Sequence, residues 1–202
     1  MHGLTHAFME KLPEDCALYE VLEDRKNLER QFHRPIRGLA YPWGTYSDAV
    51  VEAMKKAGVA YARTTHTTEN FDLPGDWYRW HPTCHHFCSH LMELAQKLVT
   101  DSPLNDPYNH TPWLFYLWGH TYEFDALNRW EDIEAFARYV GKREDIWYAT
   151  NSQIHDYIEA YRHLSWTLEG DAVYNPTALT VWFESAGAVY AVHPDELLRL
   201  DG

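Results

Sequence analysis

The chain has 202 residues with 17 Lys+Arg against 30 Asp+Glu, a formal net charge of -13. Its mean hydropathy of -0.51 and lack of any long apolar run exclude a membrane span, and 46% hydrophobic residues exclude a disordered chain. An acidic surface repels phosphate backbones, so nucleic acid is not an expected partner.

Aromatic residues reach 15%, with 9 Trp and 14 Tyr, and there are 13 His. Aromatic faces stack well on sugar rings and also fill cores. Imidazoles hold metals and move protons, so their positions matter. Three cysteines, Cys16, Cys84 and Cys88, are too few for a disulfide framework.

The chain opens on Met1-His2-Gly3-Leu4-Thr5-His6, with no cationic and apolar leader. That makes the cytoplasm the default compartment. Two histidines at the very start read like the middle of a site, so Met1 is expected not to be the natural start. Residues 15–32 read as a helix, with Leu18, Val21, Leu22, Leu28 and Phe32 near helical spacing. Arg37 to Tyr41 reads as a strand ending at the Pro42-Trp43-Gly44 turn. Ser47-Asp48 cap a helix over 47–57 that stops at Gly58, and Val59 to Arg63 is the next strand. A strand–helix–strand unit of this kind is most easily parallel and right-handed.

Residues 64–77 read as a loop, Tyr78 to Trp80 as a short strand, and 86–99 as a helix. A second loop covers 101–111, and Asn109-His110-Thr111 matches a glycosylation acceptor only by chance. Trp113 to Trp118 is an apolar run with the signature of a strand buried on both faces. Arg129 to Tyr139 reads as amphipathic helix, Ile146 to Ala149 as a strand, and Asn151 caps a helix to about His163. Past 164 the pattern turns to short alternating segments at 165–168, 171–174, 178–183 and 188–192, which predict antiparallel β. The expected organisation is an α/β domain over 1–164 and a small β appendage over 165–202.

In α/β folds the chemistry collects at the C-terminal ends of strands. The Pro42 turn, His81 and Trp118-Gly119-His120 all fall there. His2 and His6, four apart, present two imidazoles to one ion if that stretch turns, and two solvated histidines if it does not. The backbone N–H groups of the Trp43 turn suit an oxyanion. His120 suits acid–base work, with Glu123 placed to orient it. The tract His81, Cys84, His85, His86, Cys88, His90 reads either as a zinc module or as a loop with one or two imidazoles facing the active side.

Taken together, these motifs resemble the polysaccharide deacetylases, the metal-dependent carbohydrate esterases that act on chitin and peptidoglycan. His2-Gly3-Leu4-Thr5-His6 is similar to the family's His-(Ser/Thr)-x-x-His metal motif. Arg37-Gly38-Leu39-Ala40-Tyr41-Pro42-Trp43-Gly44 is similar to its Arg-rich Pro-Tyr-Gly motif, and Leu117-Trp118-Gly119-His120 to its Leu-x-x-His motif. Tyr61-Ala62-Arg63-Thr64 fits the strand between. The tracts Arg79 to His86 and Asp145 to Asn151 are similar to a bacterial subgroup.

The departures are specific. The family's Asp-Asp pair, one a general base and the other a metal ligand, has no counterpart, because no two aspartates are adjacent. Ala40 stands where many members carry Arg, and no clear Asp-x-x-Asp-Trp motif appears, its region falling on Trp80-His81. The resemblance implies an incomplete (β/α) deacetylase-type barrel missing its first strands, since a full barrel runs to about 250 residues. It implies hydrolysis of N-acetyl groups on an amino sugar, with zinc on His2 and His6, oxyanion support from Trp43 and general acid His120. Tyr41, Trp80, His81, Trp118 and Glu123 are the expected sugar contacts. Without the base, weak activity or none is expected. A barrel lacking its first units has open sheet edges, so the chain is expected to dimerise as a homo-oligomer, swap segments or be poorly stable. The rival readings are a carbohydrate-binding pseudoenzyme and a zinc module on Cys84 and Cys88. The geometric requirement is that His2, His6 and His120 converge on a pocket rimmed by 42–44.

Overall fold

The computed structural model describes residues 1–101 and 111–200. Most of the 101–111 loop and the acceptor Asn109 lie outside the described residues. The chain divides into two compact units, Met1–Trp147 and Tyr148–Gly202.

The first unit begins with helix α1 (Glu14–Phe32), which buries Ala17, Glu20 and Val21. Strand β1 (Gly38–Ala40) leads through the Pro42–Gly44 turn to α2 (Asp48–Lys56) and β2 (Tyr61–Arg63). Ser47 caps α2, its hydroxyl accepting from the Val50 N–H at 3.3 Å. Strands β1 and β2 pair in parallel, Leu39 opposite Ala62, as the strand–helix–strand reading requires. Met1 adds a further row, since its ammonium donates to the Gly38 carbonyl and its carbonyl accepts from the Ala40 N–H.

Residues 78–80 do not form the expected strand. Trp77–Arg79 is a 3-10 turn, and only Trp80 bridges to Arg63 in parallel. The reason lies in Asp76, whose carboxylate accepts from the Tyr78 N–H and turns the chain before it can extend. Strand β3 (Cys84–His85) follows, then α3 (Leu91–Thr100), which begins several residues later than the sequence predicts. Parallel pairing of His85 with Trp118 joins β3 to β4 (Leu117–Trp118). Ladder pairing therefore takes only the last two residues of the 113–118 run, whose residues are half-buried rather than buried on both faces. The upstream aromatics serve packing instead, with Trp113 and Phe115 against Phe71. A short helix α4 (Tyr122–Leu127) and α5 (Trp130–Val140) complete the unit. Residues 146–149 form no strand.

One core joins α1, β1, α2 and β2 around Val21, Tyr41, Val50 and Met54. A second surrounds Phe71, Cys84, Leu91, Leu94 and Phe136. The parallel rows follow chain order but do not close into a barrel among the described residues, so the architecture shown is mixed α/β.

The second unit holds α6 (Asn151–Arg162), capped by a reciprocal Thr150–Gln153 box rather than by Asn151. Its antiparallel β structure has strands β5 (Ser165–Trp166), β6 (Ala172–Tyr174), β7 (Val181–Ser185), β8 (Ala188–Val192) and β9 (Leu197–Arg199). The sheet order is β5-β6-β9, with β7-β8 a separate hairpin. Strand β9 was not apparent in the sequence, where Leu197 to Arg199 shows no alternation. Fully buried Asn175 ties the turns together, its amide donating to the carbonyls of Leu179 at 2.8 Å and Val192 at 3.0 Å. No helix among the described residues is long and apolar enough to cross a membrane.

Candidate active site

The ends of β1, β2, β3 and β4 carry two groups of imidazoles. At the end of β1, His2 Nδ1 lies 2.7 Å from the Ala40 carbonyl. A carbonyl only accepts, so Nδ1 carries the proton and Nε2 keeps its lone pair. His2 Nε2 faces His6 Nε2 at 3.0 Å. The turn that brings them together is pinned from α1. Buried Glu20 accepts from both the Thr5 N–H and the Thr5 hydroxyl at 2.8 Å, and Asp24 accepts from the His2 N–H at 2.7 Å. Burial, opposed by the Ala40 carbonyl, pulls the His2 pKa down, and the charges of His6 and Arg63 add to this.

Trp43 closes this first group. Its indole donates to the His6 carbonyl at 3.0 Å, and its ring stacks on Phe8. Its backbone is left-handed (φ 60°, ψ 0°), an unusual state for a bulky residue. Gly44 follows at φ 72°, where a Cβ would stand 2.1 Å from the Thr65 hydroxyl oxygen. The Trp43 N–H makes no hydrogen bond among the described residues. A free donor at a strained turn is what an oxyanion site uses.

The second group lies at the ends of β3 and β4. His85 Nε2 and His120 Nδ1 each stand 3.3 Å from Glu123 Oε2, and His86 Nε2 stands 3.1 Å from the same oxygen. The His120 N–H also donates to that oxygen at 3.1 Å. Burial opposes ionisation of Glu123, but these His120 bonds and the nearby imidazoles outweigh it, and its pKa falls below the usual carboxylate range. Burial holds His85 and His86 below the usual imidazole value, against the pull of Glu123.

Arg63, at the end of β2, connects the two groups electrostatically. Its guanidinium lies 4.7 Å from the centre of the Trp118 ring, and its charge depresses both His2 and His85. It was not among the expected site residues. The available signal was a lone cation closing an otherwise apolar strand. In sequence His85 and His86 stand out only as part of a histidine-rich tract, because nothing local shows that β3 lies beside β4.

The expected residues thus divide. His2, His6 and Trp43 are in contact. His120, Glu123 and Trp118 form the other group, with the Trp118 and His120 rings 5.9 Å apart. Tyr41 and Trp80, expected to bear on sugar, are 0% and 1% exposed, so sugar contact gives way to a packing role. Tyr41 donates to the Tyr78 carbonyl at 3.0 Å, and burial pushes its phenol pKa far up. His81 bonds Thr64 across 2.6 Å and packs edgewise on His66.

A catalytic zinc takes three protein ligands and a water. His2 and His6 supply two nitrogens. Among the described residues no third His, Cys, Asp or Glu joins them within 4.8 Å, so this pair does not complete such a site. Two other sets do hold three donors within that distance: His85, His120 and Glu123, and Glu69, Cys88 and His90.

Residues 1–62 match the sequence model of the polysaccharide deacetylase family. The resemblance read from the His2 and Pro42 motifs therefore holds over this stretch. A solved structure, the Streptococcus pyogenes deacetylase PplD in complex with acetate, shares 23% identity with a TM-score of 0.32. That match covers 33% of this chain and 29% of the streptococcal one. No curated protein matches the chain.

Proposed function

We propose that this chain is a carbohydrate deacetylase-like hydrolase of low activity, built on part of a deacetylase-type (β/α) barrel. Its substrate is an N-acetylated amino sugar, bound across the ends of β1, β2 and β4. The observation that carries this reading is the free backbone N–H of Trp43 at a left-handed turn, next to the paired imidazoles of the family-matched segment.

The residues divide the work as follows. The backbone N–H of Trp43 donates a hydrogen bond to the acetyl oxygen as negative charge grows on it. His120 protonates the departing amine, and Glu123, bonded to both its N–H and its ring, holds that ring in place. Arg63 and Trp118 form a wall against which a sugar face can stack. No step is assigned to a metal on His2 and His6, because two nitrogens hold zinc weakly. No two aspartates are adjacent in this sequence, so the Asp-Asp pair that carries the family's base is not among its residues. Positioned proton transfer contributes about 10²–10⁴-fold on its own, so losing the base leaves turnover slow.

The test is acetate release from chitooligosaccharides by the 202-residue protein. Slow release, abolished in His120→Ala, is expected. No release, or release unchanged by that substitution, overturns the reading. Release at the rate of an efficient enzyme would sink the missing-base argument.

A further inference from the structure

We propose that His85 Nε2, His120 Nδ1 and Glu123 Oε2 form a three-donor site for a divalent transition metal of the zinc class, separate from the His2–His6 pair. Three elements build it. His85 ends β3, His120 follows β4, and Glu123 sits in the first turn of α4, where its N–H bonds back to the His120 carbonyl at 3.2 Å. Each nitrogen lies 3.3 Å from the carboxylate oxygen, and all three atoms fall within 4.8 Å of one another. Metal–ligand bonds of about 2.0–2.1 Å at tetrahedral angles separate neighbouring donors by roughly 3.3–3.4 Å. The donor spacing therefore already suits an ion at the centre. Two imidazoles and one carboxylate are also a donor set that zinc, cobalt and nickel accept while leaving a position open.

A second observation points the same way. His86 Nε2 is only 4% exposed and has no hydrogen-bond partner among the described residues, although Glu123 Oε2 is 3.1 Å away. Glu123 Oε2 is thus approached by three ring nitrogens and one backbone N–H. One carboxylate oxygen offers only two lone-pair directions, so it is oversubscribed. An ion takes His85 and His120 as ligands and removes them from that competition; to free its Nε2 lone pair His85 moves its proton to Nδ1, giving up the bond that Nδ1 accepts from the Phe87 N–H at 3.2 Å. The His86 ring is then the group that steadies the ligating carboxylate from outside, as metal-bound carboxylates require. The other three-donor set, Glu69, Cys88 and His90, has no such buried orphan, and its Glu69 and His90 side chains are 46% and 52% exposed.

The inference rests on the proposed function only in placing His120 at the reacting centre. An ion on His120 Nδ1 takes that ring out of proton transfer, so zinc slows acetate release rather than supporting it. Binding itself is read without substrate, which separates the two proposals. The experiment is calorimetric titration of the metal-stripped protein with Zn²⁺, with Co²⁺ absorption as the spectroscopic report. One tight site is expected, weakened at least about tenfold by His85→Ala and by the near-isosteric Glu123→Gln, and retained in His6→Ala. The Co²⁺ spectrum should lack thiolate charge-transfer bands. Circular dichroism melts identify any variant that unfolds, in which case the other decides. Absence of stoichiometric binding, binding indifferent to both substitutions, or thiolate bands that mark Cys88 as a ligand would each overturn the site.

Discussion

Replacing Gly119 by alanine puts a methyl group where the His86 ring already lies. The added Cβ would stand 1.8 Å from Nδ1, 2.3 Å from Cε1 and 2.7 Å from Cγ of that ring. The ring has no room to retreat. It is enclosed by His85, Phe87 and Phe124, with ring centres 4.2, 4.1 and 4.3 Å away. Overpacking of a filled site costs about 1–3 kcal/mol. Gly119 also has φ 157°, at the edge of the region where a side chain strains the backbone, which adds about 1–3 kcal/mol. The sum, about 2–6 kcal/mol, is a large share of the typical stability of a domain, about 5–15 kcal/mol. At about 2–4 °C per kcal/mol for a unit of this size, Tm falls by roughly 4–24 °C. Urea unfolding followed by circular dichroism measures the free-energy loss, and a thermal melt measures the Tm. Gly75→Ala, with nothing within 4 Å of its added Cβ, is the control and should be near neutral. A Gly119→Ala loss under about 0.5 kcal/mol would show that the ring is not confined and that Trp118-Gly119-His120 is not built around it.

Asn175→Ala removes the amide that serves the Leu179 and Val192 carbonyls and the acceptor for the Thr177 N–H, so the second unit should lose about 2–4 kcal/mol. An unfolding midpoint unchanged by this substitution would contradict the accounting. Glu20→Ala frees Thr5, which is exposed enough for water to compensate, so a smaller loss of about 1–2 kcal/mol is expected while Glu20→Gln stays closer to wild type. Equal losses in both would place the effect in packing instead. Burial depresses His2, His81, His85 and His86 in the folded protein, so the unfolded chain binds protons first as pH falls through about 6.5. Stability contributed by their neutral forms is complete above that value and is lost below it. Glu123 and Asp76, also depressed, add a loss at still lower pH. Urea midpoints at pH 7.5 and 5.5 should therefore differ in favour of the higher pH, and a higher midpoint at pH 5.5 would reverse the sign.

Local sequence determined helices α1, α2, α5 and α6, though not α4, the start of α3 or the cap of α6. The spacing of Leu18 and Val21, the Ser47 cap and the β-rich pattern after 164 each act over a few residues, and the structure contains α1, α2 and the antiparallel strands accordingly, while Leu22 and Phe32 of the same spacing stay exposed. The His2 and Pro42 motifs were legible for the same reason, since the groups that meet there are near one another in sequence or share a known pattern. What only tertiary structure decided is the pairing of distant segments. The register of His85 beside Trp118, 33 positions apart, brings Glu123 under three imidazoles, and no local pattern encodes that. The same holds for Tyr41 and Trp80, whose aromatic character suits a sugar or a core equally. Only the elements packed over them, not their own residue type, put them in the core.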